Sequence, residues 1–386
     1  MGAAWRISSE PFFAKATDYV NSLKLRVSYG LQGNDHLRTP GGGRNWTPYQ
    51  NLYSISNDGK VVTKPYLMGN KEVTWEKNYN LSAAIEFGFL QNLVYGEIEF
   101  FNRTTRDMLF NLPVPASTGY TTKPTNIGDM RNTGVEFTLN VNPIRTENVN
   151  LTFNVNATHY KNVITRLPEK LRKEGIRRGS KLLKEGHSIY SYHLLHWMGV
   201  NPENGHPLYS YRQTSNGEWK TLEREKGAND KYLDDSRKWA GRALPDVLGG
   251  FGMQLEAYGV DFSAQFSYAI GGKIMDNGYG DLMSSSSFGQ GLHKDMLKSW
   301  TPENRSTKYP IHEKDNSYGA ASDRYLIDGS YLSFRSVVLG YTLPARWVQR
   351  ALLQQVRIYG VCDGVWLWSR RKGLDPRQFL DGVGDN

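Results

Sequence analysis

The stretch Thr125-Asn126-Ile127-Gly128-Asp129-Met130-Arg131-Asn132-Thr133-Gly134-Val135-Glu136-Phe137-Thr138-Leu139-Asn140-Val141 decides how the rest of the chain is read. In its second half Val135, Phe137, Leu139 and Val141 point one way, and Glu136, Thr138 and Asn140 point the other. Alternation with a period of two marks a strand with one oily face and one wet face. The first half, from Asn126 to Gly134, is polar and glycine-marked and delivers the chain into that strand. After a short polar turn the pattern returns. Val149, Leu151, Phe153, Val155 and Ala157 share one face, while Asn150, Thr152, Asn154, Asn156 and Thr158 share the other.

Working outward, the same alternation recurs along the chain. Leu23, Leu25, Val27 and Tyr29 read as a first strand, closed by Gly30. Tyr79, Leu81, Ala83, Ile85 and Phe87 form another, and after a tight turn at Gln91-Asn92 a partner runs from Val94 to about Phe110. Residues 191–200 read as a weaker strand, and 207–213 with 218–222 as a hairpin turned at Ser215-Asn216-Gly217. Residues 249–257 and 261–270 pair across Tyr258-Gly259-Val260. Strands over 331–343 and 356–362 follow, and the chain then ends in coil rich in Arg, Gly and Asp. Between strands lie polar segments, including 31–70 with a small hairpin about Asn57-Asp58-Gly59. Residues 5–21, 223–243 and 271–330 read as mixed or loop segments.

With 386 residues, 39 Gly, 23 Tyr and 10 Trp, the composition favours strands, turns and long loops over helix bundles. The single cysteine, Cys362, excludes an internal disulfide and a cysteine-based metal site. The net charge of +9 is concentrated partly in Lys170, Arg172, Lys173, Arg177, Arg178, Lys181 and Lys184. That run is broken by Glu169, Glu174 and Glu185 and has no interleaved aromatics, so it reads as a solvated loop and no nucleic-acid partner is expected. No apolar signal region opens the chain, and no window approaches the ~18 apolar residues of a membrane-crossing helix. Neither absence excludes a membrane barrel, whose strands are only half apolar.

The connections themselves point to one. Short turns near Gln91, Pro143 to Asn148, Gly259 and Pro344 alternate with long excursions, as on a barrel with short periplasmic turns and long extracellular loops. Several strands reach the ~9–11 residues needed to cross a bilayer. The expected fold is therefore all-β: an antiparallel transmembrane β-barrel portion, with Phe153 and Val155 facing lipid and Asn154 and Asn156 facing a wet interior. The alternative is a soluble β-sandwich, in which the same apolar residues would be buried face to face.

Particular segments resemble the SusC/RagA type of TonB-linked outer-membrane transporter. They include Leu23 to Asn34, Leu112 to Tyr120 followed by Asn126 to Glu136, Gly199 to Gly205, and Leu244-Pro245-Asp246 with Gly249-Gly250-Phe251. Gly271 to Ile274, Trp300 to Asn304, Ser330-Tyr331-Leu332 with Leu339 to Pro344, and Gly373 to Pro376 continue the series in order. The resemblance implies that residues 1–386 are about half of a large barrel, a partial barrel domain with plug, signal peptide and last strand absent. It departs at Asp363-Gly364, where the family usually has an Asn-Leu pair. The implied function is import of glycan or peptide fragments across the bacterial outer membrane. The implied partners are the TonB complex, through the missing N-terminal part, a SusD-like surface lipoprotein, and an oligosaccharide or peptide ligand.

Such a transporter needs a wide wet lumen and aromatic-rich loops for stacking on sugar rings. Candidates are Trp46, Tyr49, Tyr53, Trp75, Trp219, Trp239, Tyr279 and Trp300; the plainer reading packs them within loops or the interfacial girdle. No enzyme, catalytic residue, cofactor site or metal site is expected. His193 and His196, an odd number apart, fall on opposite faces of a strand and cannot share an ion there. Glu97 and Glu99 read as lumen-lining charge in preference to a glycosidase pair. Asp234-Asp235 are weak candidates for Ca²⁺. The alternative function is a soluble secreted carbohydrate-binding protein.

Overall fold

The computed structural model describes residues 1–39, 42–57, 61–212, 217–223, 236–283, 289–312, 322–349 and 352–379. Its main feature is a ten-stranded, fully antiparallel sheet whose spatial order follows chain order. The strands are β1 (Gly2–Arg6), β2 (Val20–Asn34), β3 (Glu76–Phe89), β4 (Val94–Arg106), β5 (Asp129–Arg145), β6 (Val149–Arg166), β7 (Val247–Ala257), β8 (Val260–Ile270), β9 (Tyr331–Thr342) and β10 (Arg357–Ser369). Nine of them have 11 to 18 residues, enough to span a bilayer when tilted.

Register turns the alternation into two continuous faces. One row crosses nine strands as Leu23, Phe87, Gly96, Leu139, Val155, Phe251, Phe266, Phe334 and Trp366. The neighbouring row on the opposite face reads Lys24, Glu86, Glu97, Thr138, Asn156, Gly250, Ser267 and Ser333. Within the apolar row Phe251, Phe266 and Phe334 stack, with ring centroids 4.7 and 4.4 Å apart. Among the described residues no second sheet lies over this face: Phe153, which a sandwich would seal, is 42% exposed.

The turns segregate as well. Residues 7–19, 90–93, 146–148, 258–259 and 343–356 join strands at one end, while 35–75, 107–128, 167–246 and 271–330 leave from the other. The buried core lies at the long-loop end. Met108, Ile127, Ile164, Leu167, Ile176 and Leu183 form one cluster; Tyr192, Leu194, Met275, Met283, Tyr309 and Tyr325 form a second.

Several segments differ from the sequence reading. Gly2–Arg6 pairs with β2 although it shows too little alternation to stand out, and β2 runs past Gly30 to Asn34. The polar lead-in to the central strand is itself strand from Asp129 onward, because β4 and β6 flank it on both sides. Residues 191–200 split into Ser191–Leu194 and Trp197–Val200, which pair with different partners. The charged segment after 223 contains the strand Lys238–Arg242, paired with Ser191–Leu194. β10 continues to Ser369 where coil was expected. The hairpin tips at 58–60 and 213–216, and Asp234-Asp235, lie outside the described residues.

Two glycines show why the central stretch needs them. Gly128 holds a φ of +124°, and a Cβ there would stand 2.0 Å from the Arg166 carbonyl. At Gly134 a Cβ would meet the Phe101 ring at 2.7 Å and Tyr160 Cβ at 2.5 Å, so the missing side chain lets Phe101 lie across the strand.

Candidate functional site

The candidate site is the wet face of the wall together with the loop layer at its long-loop end. Alternation places Lys24, Arg26, Ser28, Ser82, Glu86, Glu97 and Glu99 on one patch of the wet face. Lys24 Nζ donates to Glu86 at 2.9 Å, Arg26 pairs with Glu97, and Arg26 also donates to Glu99 at 3.0 Å. Ser28 and Ser82 are joined at 2.8 Å. Glu97 and Glu99 therefore share one guanidinium on the wet face of the wall.

The loop layer is fastened to the wall by the central stretch. Asn126 Nδ2 donates to the carbonyls of Thr74 (2.9 Å) and Asp107 (2.7 Å), while its Oδ1 accepts from Thr74 N–H at 2.9 Å. Ile127, 1% exposed, sits in the first buried cluster. Asp129 accepts from Asp107 N–H at 3.2 Å and pairs with Arg166 at 2.9 Å. Asn132 receives a hydrogen bond from Asn162, whose own oxygen accepts from Ser188 Oγ and Ile189 N–H. One polar run thus clasps three loops. Alternation identifies the strand but not these partners, which lie 19 to 52 residues away in sequence.

The structure sorts the aromatic candidates into two groups. Trp300 is packed, its indole N–H donating to Pro202 O at 3.0 Å. Tyr279 lies under the Arg371 guanidinium at 3.9 Å and donates to Asp295 at 2.9 Å. Burial, with Asp295 and Tyr309 beside it, pushes the Tyr279 hydroxyl pKa up. Lys298 and the same Tyr279 hydroxyl pull Asp295 down to about 2. Trp46, Tyr49, Tyr53 and Trp75 remain exposed on the 35–75 loop, with Arg44 lying over Trp46 at 4.0 Å. Trp219 is also exposed, flanked by Lys238 at 3.6 Å and Arg212 at 4.7 Å.

The two histidines do not meet in one site. His196 bonds Asp323 at 2.7 Å. His193 packs edge-on against Trp239, which stacks on His187 at 3.7 Å. Burial, then Arg177, Arg237 and Lys184, lower the His193 pKa from 6.5 to about 4, so it stays neutral. Among the described residues no group of three or more His, Cys, Asp or Glu side chains could hold a metal ion. Glu223 is held below the usual carboxylate range by the Asn201 amide, then by Asn204 and His206, which fixes the turn after Gly199.

This arrangement can present rings and hydrogen-bonding groups to a ligand from outside and offer it a polar path along the wall. Comparison with known proteins identifies the family and the fold. The family description "TonB dependent receptor-like, beta-barrel" matches residues 2–282. The chain is 26% identical to TonB-dependent receptor P3 of Formosa agariphila, over 97% of this chain and 37% of the relative. It is also 26% identical to TonB-dependent receptor SusC of Bacteroides thetaiotaomicron, over 100% of this chain and 38% of the relative. The chain therefore spans less than half the length of these relatives. Its fold superposes on the solved RagAB peptide transporter with a TM-score of 0.81, at 23% identity, over 97% of this chain and 40% of that one. The chain belongs to the TonB-dependent receptor β-barrel family, resembles its SusC/RagA type, and takes its place in the bacterial outer membrane.

Proposed function

We propose that residues 1–386 form about half of the barrel of a nutrient importer, whose plug and remaining strands lie elsewhere in the full protein. Glycan or peptide fragments are caught at the loop layer and pass along the wet face, with energy from the TonB complex and a SusD-like lipoprotein over the loops. The observation that carries this is the sidedness of the sheet. An unbroken apolar row and an unbroken polar row run back to back, with all the long loops at one end. Among the described residues β1 and β10 each have one unpaired edge. Each unsatisfied backbone group in hydrocarbon costs several kcal/mol, which favours further strands closing both edges. The names of two similar proteins, a peptide transporter and SusC, support import, and the exposed tryptophans suit either sugar or peptide.

The test is growth on defined oligosaccharides or peptides as sole carbon source, with the importer deleted and then restored. Loss on deletion, restoration by the intact gene and the same loss without TonB are expected. Recovery of the protein in the soluble secreted pool without detergent would overturn the reading. Affinity purification from outer membranes checks the partner: a surface lipoprotein should co-elute, and its clean absence would remove the lid.

A further inference from the structure

The connection between β9 and β10 carries more apolar surface than a strand-to-strand turn requires. It begins with a short helix, Ala345–Val348, and is well tied: Leu343 N–H donates to Val356 O at 2.9 Å, and Leu353 N–H to Val348 O at 3.1 Å. Val348 is buried within it. Yet Trp347 is 56% exposed, Leu352 is 95% exposed, and Leu353 is exposed beside it. Leu352 also holds a φ of +59°, a left-handed backbone that disfavours bulky side chains and here turns the leucine outward. A folded turn that spends strain on exposing leucine needs an apolar surrounding.

The rim of the wall shows which surrounding is at hand. On the wet face the turn adjoins Arg357, paired with Asp261 through two hydrogen bonds of 2.9 and 2.5 Å, which offers nothing to an apolar group. On the opposite face, beside the turn, are Leu339, Tyr341 and Ile358, all exposed. They are the lower end of the apolar band that faces lipid. The turn continues that band past the last strand residues, at the short-turn end, which in a barrel of this kind is periplasmic.

We propose that this turn is a wedge seated in the periplasmic leaflet of the outer membrane. Trp347, Leu352 and Leu353 enter the glycerol and upper acyl zone, and the exposed Arg346 reaches back to lipid phosphate. Tryptophan suits that depth, with its ring in apolar surroundings and its N–H near water. The wedge fixes how deeply the wall sits, independently of what the importer carries.

The test uses the full importer purified from outer membranes and reconstituted in vesicles of phosphatidylethanolamine and phosphatidylglycerol. Spin labels are placed by Trp347→Cys and by Leu352→Cys in a Cys362→Ser background. Control labels are placed by Phe153→Cys for lipid and Asn156→Cys for lumen. The labels at 347 and 352 should collide with dissolved oxygen and avoid an aqueous nickel chelate as the Phe153 control does. Nickel collisions at the level of the Asn156 control, with the Phe153 label still in lipid, would overturn the wedge and leave the barrel standing. A photo-crosslinker at 352 supplies a second reading. Capture of phospholipid is expected; capture of another part of the protein, such as a plug segment, would also overturn the proposal.

Discussion

The wall and the loop layer of this molecule keep their apolar residues in opposite ways. In the wall they form an uncovered face, with Phe153, Phe251 and Leu339 all exposed to the surroundings. In the loop layer they close on themselves, as Ile127, Leu167 and Ile176 do, buried among one another. The loops are thus organised like a small soluble protein, and the strands are organised for a different solvent. The hydrophobic effect drives both, but water supplies the contrast for one and the bilayer replaces it for the other. The central stretch matters because it belongs to both regions, with Asn126 to Gly128 in the loop layer and Asp129 to Val141 in the wall.

The comparison breaks most severely where the loop core is hollowed. Ile127→Ala removes a fully buried side chain and should destabilise the loop layer by about 2–5 kcal/mol. Limited proteolysis should then cut within 107–128 and 167–190 while the wall stays protected. If the wall were lost at the same rate, the two regions would be one cooperative unit.

The wall answers to charge and depth. Phe266→Lys, on the apolar face, should cost about 2–4 kcal/mol if the residue lies near the bilayer midplane. Ser267→Lys, one position along on the wet face, should cost little, since that side is solvated. Assembly yield in outer membranes, read by heat-modifiable gel mobility, checks the pair. Equal tolerance at both positions would mean the faces are not distinguished by lipid.

A smaller effect tests the join between the regions. Asn126→Ala leaves the Thr74 N–H and two carbonyls to water and should weaken the clasp by about 1 kcal/mol. Amide exchange at Thr74 should speed up several-fold, with no change at Phe137 in the wall.

Acid should also separate the two regions. In the folded loop layer the His193 pKa is lowered to about 4, from 6.5 when unperturbed. The unfolded loop therefore takes up a proton first as pH falls below about 6.5. Stability present above that pH declines until the folded site also protonates near pH 4. Asp295, pulled down to about 2, keeps its contribution through that window and loses it only lower. Protection factors of the Ser191–Leu194 amides, corrected for the intrinsic pH dependence of exchange, should fall between pH 6.5 and 4 and stay flat in His193→Phe.

How much of this the sequence carried follows from phase. β2 to β6 were legible because their alternation is unbroken over long runs, and the register then lines up the faces without further information. β10 was legible only as far as Cys362, because Asp363-Gly364 interrupts its apolar face and Val365 and Leu367 make the other face apolar too. Ser336 faces Asp363 while Phe334 faces Trp366, and Gly364 sits at that irregularity with a φ of +64°. The alternation that ended at Cys362 resumes beyond it as Trp366 and Trp368. Lys238–Arg242 was hidden for a different reason. Its partner lies over 40 residues earlier, and Lys-Trp-Ala-Gly-Arg has no alternation of its own. At the candidate site, residue type marked the aromatics, but only packing separates Trp46 from Trp300.

That separation yields the smallest structural effect and the most direct functional one. Trp46 is 73% exposed and lies under Arg44, so Trp46→Ala should change stability by no more than about 0.5 kcal/mol. Trp300 is 9% exposed, and Trp300→Ala should cost about 3–5 kcal/mol through the cavity alone. If exposed rings catch ligand, Trp46→Ala should weaken capture about tenfold, which corresponds to about 1.4 kcal/mol, with the fold intact. Titration of the detergent-purified importer with oligosaccharide and with peptide, alongside a melting curve, measures both quantities on one sample. An unchanged affinity for both ligands would move the catching surface away from the 35–75 loop. A loss for only one of them would show which ligand stacks there, because Trp46 has no structural duty through which its removal could act at a distance.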